Sequence, residues 1–392
     1  MSDISSLRTL VVGGGIAGLT AAAALSKRGF DVRVVEQAPG FEPVGAGITI
    51  QANANAVLRA LDIALPADAA VPIEGVELQD ARGRSLTRGD ARAILPDPPS
   101  VAIHRADLHA VLLAACAGVP LESGVRVSSV TREADGVDVV FGDARSERFD
   151  LLIGADGIRS VARRAVTGED DPDLRYSGQT CWRFAIEAPD LVPGAATERW
   201  NPGQRVGIVP LARGRVYVYL VEDAPRGTPC PGSAAPEEIR RRFAGVDERL
   251  DALLERLDGS VPTDHSDLCD LPRISFGEGR VVLVGDASHA MTPNLGQGAG
   301  TGIEDVAALV LALAECGDDV SAVPRAIDTM RRARVARVHR TAWRIGRVSH
   351  WRNPVARFLR DSLLRALPAE AANRQAQALW QPGLELAARL RS

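Results

Sequence analysis

Three carboxylates stand beside glycine turns: Glu36, which follows Gly13-Gly14-Gly15-Ile16-Ala17-Gly18; Asp156 in Gly154-Ala155-Asp156-Gly157; and Asp286 in Gly285-Asp286, upstream of Pro293-Asn294-Leu295-Gly296-Gln297-Gly298. Glycine turns let phosphates approach backbone N–H groups, and carboxylates accept hydrogen bonds from sugar and polyol hydroxyls. The combination points to one phosphate-bearing cofactor gripped by segments far apart in the chain. In the first turn Gly13 permits the tight bend, Gly15 admits a pyrophosphate to the backbone, and Gly18 lets a helix pack against a strand, with Ala17 on the same turn. Glu36 stands at the offset where an acid meets ribose hydroxyls, which favours an adenosine without a 2′-phosphate; Gln37 joins it as a cofactor contact.

These residues need strand ends and helix starts to position them. The apolar run 7–12 predicts a buried strand, 19–28 an alanine-rich helix and 32–35 a second strand, so the first turn sits in a strand–turn–helix unit. A nicotinamide dehydrogenase completes its site within one such unit, whereas the return to glycine–acid turns near 156 and 286 suits an extended flavin dinucleotide. Asp286 closes the apolar run 281–284, and the helical pattern 303–314 follows the glycines from Gly296 onward. Its N-terminus, with Gly298, Ala299 and Gly300, is placed to stabilise an anionic reduced flavin ring.

Between these pieces the texture changes. Residues 76–86, 180–186, 205–209 and 215–221 alternate apolar with polar between Pro/Gly turns, which predicts an antiparallel sheet. The expected fold class is α/β: a Rossmann-like FAD-binding domain (1–75, 101–175 and 270–320), an inserted antiparallel-sheet substrate domain (76–100 and 176–269), and C-terminal helices (321–392). The chain has 392 residues, enough for this core, and a net charge of −4, which offers no global attraction to nucleic acid. Met1–Ser6 lack the layout of a signal peptide and no charge-free stretch is long enough to cross a bilayer, so a cytoplasmic location is expected. Five cysteines at wide spacing without a CxxC pair predict free thiols, and no metal site is expected.

Taken together, the first glycine turn with Glu36, the run Gly154-Ala155-Asp156-Gly157-Ile158-Arg159-Ser160, and Gly285-Asp286-Ala287-Ser288-His289-Ala290 with the 293–298 loop resemble the three fingerprints of the single-component FAD-dependent aromatic hydroxylases, over residues 7 to about 350. The resemblance implies a p-hydroxybenzoate hydroxylase-like fold, one FAD, transient use of NADH or NADPH, and a flavin C4a-hydroperoxide that passes one oxygen atom of dioxygen to an aromatic or heteroaromatic small molecule. Within the family the loop and Gly300 look like the branch containing urate hydroxylase and zeaxanthin epoxidase. Arg205 and Tyr217 stand at the spacing of that branch's substrate-contacting Arg and Tyr, but Cys181-Trp182-Arg183 replaces an expected asparagine, so urate itself is in question. The resemblance also implies that Arg105 reaches the cofactor, that Gly45 to Thr49 (with Gly47 and Thr49) flank the flavin ring, that Val127 offers backbone to adenine, that Pro293 presents a carbonyl near the reacting ring, and that His289 is structural.

Each assignment has a plainer counterpart: Arg105 as a surface arginine at a helix start, Arg205 and Tyr217 as decoration of a sheet face, Gly45 to Thr49 as an ordinary turn. Two other functions stay open, epoxidation of an isoprenoid or polyketide alkene and a flavoprotein that is not an oxygenase. A halogenase is disfavoured, because no W-x-W-x-I-P segment occurs. No second GxGxxG is present, so NAD(P)H is expected to visit transiently, and the protein to be a monomer or homodimer. Arg331, Arg334, Arg337, Arg340, Arg344 and Arg347 recur at helical spacing, which predicts one basic face, solvated or, less favoured, laid on an anionic membrane.

Overall fold

A computed structural model describes residues 7–41, 46–73, 76–89, 97–169, 173–229 and 232–392; Met1–Ser6, Gly45 and Cys230 lie outside them. The first layer is a six-stranded sheet. In it Arg8–Val12 pairs in parallel with Asp31–Glu36 on one side and Leu151–Gly154 on the other. Leu121–Ser123 and Val281–Leu283 extend the parallel order outward, and Gly277–Glu278 adds an antiparallel edge. The central strands are continuous apolar runs because both faces are covered: Leu10, Val11, Ile153 and Val282 are fully buried. Three of these strands therefore end at one edge, delivering Gly13, Glu36 and Ala155 side by side, with Gly285 next to them.

Helix Ile16–Ser26 returns from the first strand and helix Gly298–Cys316 packs beside it. The alanine-rich sequence of the former is explained by this crowding: Ala21 to Ala24 are all 0% exposed. A three-stranded antiparallel meander over residues 127–149 and a small sheet of Gly47–Ile50, Val101–His104 and Ala70–Pro72 flank the layer.

The second layer is a seven-stranded sheet that includes Arg175–Glu187, Ala196–Asn201, Gln204–Pro210, Arg215–Asp223 and Thr263–Asp270, with the hairpin Val76–Gln79 and Ser85–Gly89 at its edge. Its alternation sorts the residues cleanly. Trp182, Phe184, Val206, Ile208, Val218 and Leu220 face outward against helices Ala235–Phe243 and Glu248–Arg256. Arg183, Arg205, Gly207, Tyr217 and Tyr219 share the opposite face by cross-strand register, and that face looks toward the parallel layer.

The C-terminal part is helical: Val323–Ser349, Pro354–Ala366 and Ala369–Arg391. Here the expectation of a single basic face is corrected. Arg331 and Arg334 are buried, at 1% and 6% exposure, while Arg337, Arg340, Arg344 and Arg347 are exposed. The 27-residue helix is covered on more than one side, and two carboxylates from Gly298–Cys316, Glu304 and Asp305, draw the first two arginines inward.

Candidate active site

The first glycine turn is shaped by contacts that no side chain would allow. Gly13 has φ +107° and donates its N–H to Val35 O at 2.8 Å, and a Cβ there would overlap the Ala155 carbonyl. A Cβ on Gly18 would overlap Gly13 O, which is how closely the helix seats on the turn. At Gly15 the situation is reversed: a Cβ would meet nothing within 4 Å. Gly15 caps helix Ile16–Ser26 without any side-chain hydrogen bond, so the free N–H groups and the positive end of the helix dipole open onto that space. Glu36 accepts from Gly14 N at 2.7 Å and Ala38 N at 2.8 Å, which orders the turn, and the neighbouring Gln37 is exposed. Phe41 covers Gly14, and His109 Nε2 meets Gly14 O at 2.9 Å, which ties helix Arg105–Ala115 to the same turn.

Arg105 opens that helix, exposed, with its N–H given to Ala46 O at 2.9 Å. Its charge reaches Asp286. Among the described residues no donor reaches the Asp286 carboxylate, which is open at the surface of the cleft. The surrounding walls still withhold water, and this desolvation raises its pKa against the pull of His289 and Arg105. The turn beneath is held from behind. Asp305 accepts Gly285 N at 3.0 Å and meets His289 Nε2 at 2.6 Å, so His289 is buried in a structural pair with a carboxylate that sequence reasoning had not placed beside it.

Asp156 is differently engaged. Its carboxylate accepts from Ser160 Oγ at 2.5 Å, Val161 N at 2.7 Å and Ala162 N at 3.2 Å, and thus caps helix Val161–Thr167. Three of its acceptor positions are thus taken, and the residue stays partly exposed beside its neighbouring glycines. Val127 is buried at the start of the meander.

Helix Gly298–Cys316 begins without a side-chain cap, and a Cβ on Gly298 would meet nothing within 4 Å. Ala299 is partly exposed beside it, whereas Gly300 faces inward against Ala54 and Asn53, leaving its N–H as its contribution to the helix end. Pro293 and Gly296 are exposed in the preceding loop, and Gly296 takes a left-handed φ of 60°. Gln297, given no role of its own in the sequence reading of this loop, ties the loop down: it donates to Gln51 Oε1 at 2.5 Å and accepts from Asn53 at 3.0 Å. Trp380 of the last helix reaches the same Gln51 oxygen at 2.9 Å.

The inward face of the seven-stranded sheet meets this edge through Tyr217. A Cβ on Gly47 would overlap the Tyr217 ring, so glycine at 47 is what lets the two layers close, with Thr49 partly exposed two residues on. Burial holds Tyr217 well above the usual phenol pKa, with the Arg183 guanidinium beside it pulling the other way, so Tyr217 stays a hydrogen-bond donor. Arg183 is half-buried, paired with Asp264 at 3.0 Å. Arg205 stands differently from the expectation: it is 1% exposed, with Nε on His350 Nε2 at 3.2 Å, a terminal nitrogen on Asn294 Oδ1 and another 3.6 Å from Glu198. It grips the 293–298 loop from behind, where a strand residue meets a loop 89 positions away, which alternation alone does not reveal. A polar concavity on the sheet's far face, lined by Arg82, Arg199 and Asp247, is apart from all this, and its Arg199 is paired with Asp247 at 2.5 Å.

The donor set suits FAD: two uncapped helix N-termini, two glycines whose missing side chains leave open space, and a free carboxylate at a strand's carboxyl end. The family model for an FAD binding domain matches residues 6–345. The chain is 35% identical to the 2-heptyl-3-hydroxy-4(1H)-quinolone synthase of Pseudomonas aeruginosa strain UCBPP-PA14, over 97% of this chain and 100% of the relative. It is 36% identical to the 3-amino-4-hydroxybenzoate 2-monooxygenase of Streptomyces cremeus, over 92% of each. Among solved structures, Klebsiella pneumoniae HpxO complexed with FAD and uric acid superposes with a TM-score of 0.88 at 27% identity, covering 96% of this chain and 97% of that one. No described helix is long and apolar enough to cross a membrane. The chain thus belongs to the FAD-binding-domain family and is one of its FAD-dependent aromatic monooxygenases.

Proposed function

We propose that the chain hydroxylates an oxygen-bearing aromatic or heteroaromatic ring, of the quinolone or aminohydroxybenzoate kind, in the cleft between the carboxyl edge of the parallel sheet and the inward face of the seven-stranded sheet, with NADH or NADPH as transient reductant. The division expected from sequence accompanies this reading: 1–75, 101–175 and 270–320 hold FAD, 76–100 and 176–269 roof the substrate, and 321–392 brace both. The observation that carries it is the seating of Tyr217 on Gly47, which brings a charged and phenolic sheet face against the glycine-lined edge.

Gly13, Gly15, Ala17 and Gly18 with the first helix dipole receive the diphosphate. Glu36 and Gln37 take the ribose, Arg105 and Asp286 the diphosphate and ribityl region. Gly47, Thr49 and the N–H groups of Gly298, Ala299 and Gly300 flank the ring. Val127 offers backbone to adenine, and Gly296 lets the loop turn. Bound FAD supplies the electrons and the activation of dioxygen. The protein binds, orients and excludes water. Tyr217 donates a hydrogen bond to a ring oxygen, and the Arg183 guanidinium favours its ionised form, which makes the ring more nucleophilic. Arg205 acts one step removed, fixing Asn294 and so the Pro293 carbonyl. Asp156 serves through the helix it caps.

The reconstituted protein is expected to consume NAD(P)H faster when 4-quinolones or aminohydroxybenzoates are supplied, and Tyr217→Phe is expected to raise peroxide release at the expense of product. No stimulation by any phenol, quinolone or purine would defeat the substrate class, and unchanged coupling in Tyr217→Phe would defeat the orienting role.

A further inference from the structure

The helix Pro354–Ala366 is turned the wrong way round for water. Asn353 caps it, accepting from Val355 N at 2.9 Å and Ala356 N at 3.1 Å, so it is a well-formed 13-residue element. Two of its charged residues anchor it to the protein: Arg360 and Asp361 are buried, paired at 2.7 Å, with Arg360 also donating to Val348 O at 3.0 Å, while Arg365 pairs with Asp80. Its apolar residues point out. Val355, Phe358, Leu359 and Leu363 are 65%, 68%, 62% and 66% exposed, and Trp351 and Leu367 bracket them at the two ends. Positions 355, 358, 359 and 363 fall on one stripe of a helix, so the exposure forms a single apolar ridge. The inward anchors keep it facing solvent.

We propose that this ridge seats the protein on an anionic membrane surface, with Phe358, Leu359 and Leu363 entering the boundary between headgroups and acyl chains. Charge favours lipid over a second copy. Residues 331–369 hold eleven arginines and a single acid, Asp361, and six of those arginines (Arg331, Arg332, Arg334, Arg352, Arg360 and Arg365) are paired with carboxylates. Among the described residues, the exposed Arg337, Arg340, Arg344 and Arg347 have no carboxylate partner. Anionic headgroups neutralise such cations, which a second copy carrying the same charges does not, and arginine stems lie along a lipid boundary with their heads in the polar zone. Size agrees. Thirteen residues at 1.5 Å rise make a ridge about 20 Å long and about 10 Å wide, on the order of 200 Å², well short of the roughly 800 Å² per partner of a stable protein interface. Lipid needs no matching partner surface.

The test is flotation of the FAD-loaded full chain with phosphatidylcholine vesicles, with and without phosphatidylglycerol, at low and high salt. The wild-type chain is expected to float with the anionic vesicles and to be released by salt. The triple variant Phe358→Ser, Leu359→Ser, Leu363→Ser should bind roughly tenfold less while keeping its flavin absorbance, since the three side chains support no core. Arg340→Gln, Arg344→Gln, Arg347→Gln should lose the preference for anionic lipid. Wild type that stays at the bottom of the gradient with both vesicle types, or a serine variant that floats as well as wild type, would overturn the proposal. So would a wild-type dimer that the serine changes dissolve while vesicle binding is absent, because the ridge would then be covered by a second copy.

Discussion

Replacing Arg331 by methionine removes the cation shared by two buried carboxylates. Arg331 lies 2.6 Å from Glu304 and 2.9 Å from Asp305, both acids being 0% exposed, and also donates to Thr301 O at 3.2 Å. Burial by itself raises the pKa of both acids. Arg331 and Arg334 outweigh it at Glu304, and His289 and Arg331 outweigh it at Asp305, so both stand below their ordinary values and stay ionised. Breaking such a pair from one side costs about 3–5 kcal/mol, because the remaining charge is stranded in a dry site. With an unfolding entropy of about 2.1 cal/mol/K per residue, hence about 0.8 kcal/mol/K for 392 residues, the loss lowers Tm by about 4–6 °C. A local consequence follows from Asp305, whose other oxygen holds Gly285 N–H and His289. Arg331→Met should therefore also retain less FAD after gel filtration. The variant Arg331→Met with Asp305→Asn should recover much of the Tm, since Glu304 keeps the buried Arg334 as its cation and no acid is left without one. Thermal scans and flavin absorbance read both quantities. A Tm within about 1 °C of wild type together with full flavin retention would refute the reasoning, since a shift of that size corresponds to under about 1 kcal/mol.

Three further outcomes are expected. Gly47→Val forces the Tyr217 ring off its seat and should cut kcat/KM by more than tenfold, with Gly47→Val, Tyr217→Ala restoring flavin binding but not coupling; stopped-flow reduction and product yield separate the two effects. Asp286→Ala removes an acceptor that has no donor among the described residues, so folding should be unaffected while FAD affinity falls by roughly 10- to 150-fold, the worth of one hydrogen bond to a charged group, measured by fluorescence titration. His104, His265, His339 and His350 all have pKa values lowered from 6.5, burial being the first cause in each. A lowered folded-state value means that the unfolded chain binds more protons, so this stability is complete above about pH 6.5 and is lost as pH falls below it. Tm should decline from pH 7 to pH 5, and His350→Gln should flatten part of that slope; a Tm that rises on acidification would contradict the sign.

Much of this was legible from residue type and spacing. The glycine turns announce themselves because only glycine tolerates the φ of Gly13 and the close seat of Gly18, and the apolar runs before them mark buried parallel strands. The α/β class, the FAD cofactor and the monooxygenase family follow from those features and their order. What could not be read is what depends on long-range meetings of polar side chains. Asp156 carries the expected carboxylate, yet a serine four residues later recruits it as a helix cap. The sequence assigns Arg205 to a strand with Tyr217 as a substrate-orienting pair, but its partners Asn294 and His350 come from a loop and a helix end far along the chain. Periodicity grouped Arg331 and Arg334 with the exposed arginines because it cannot show that Glu304 and Asp305 lie opposite the third turn of that helix. Trp380 and Gln51 meet across 329 positions with no local signal.

The central claim is that this chain binds one FAD along the glycine-lined edge and uses it to place one atom of dioxygen on an aromatic ring beneath Tyr217. Mass spectrometry of products formed from a panel of 4-quinolones and aminohydroxybenzoates under ¹⁸O₂, with NAD(P)H and the FAD-reconstituted protein, tests it most directly. A product carrying a single heavy oxygen is expected from wild type, strongly reduced in Gly47→Val. Flavin reduced and reoxidised with only peroxide released for every compound, or a product whose oxygen comes from water, would contradict it.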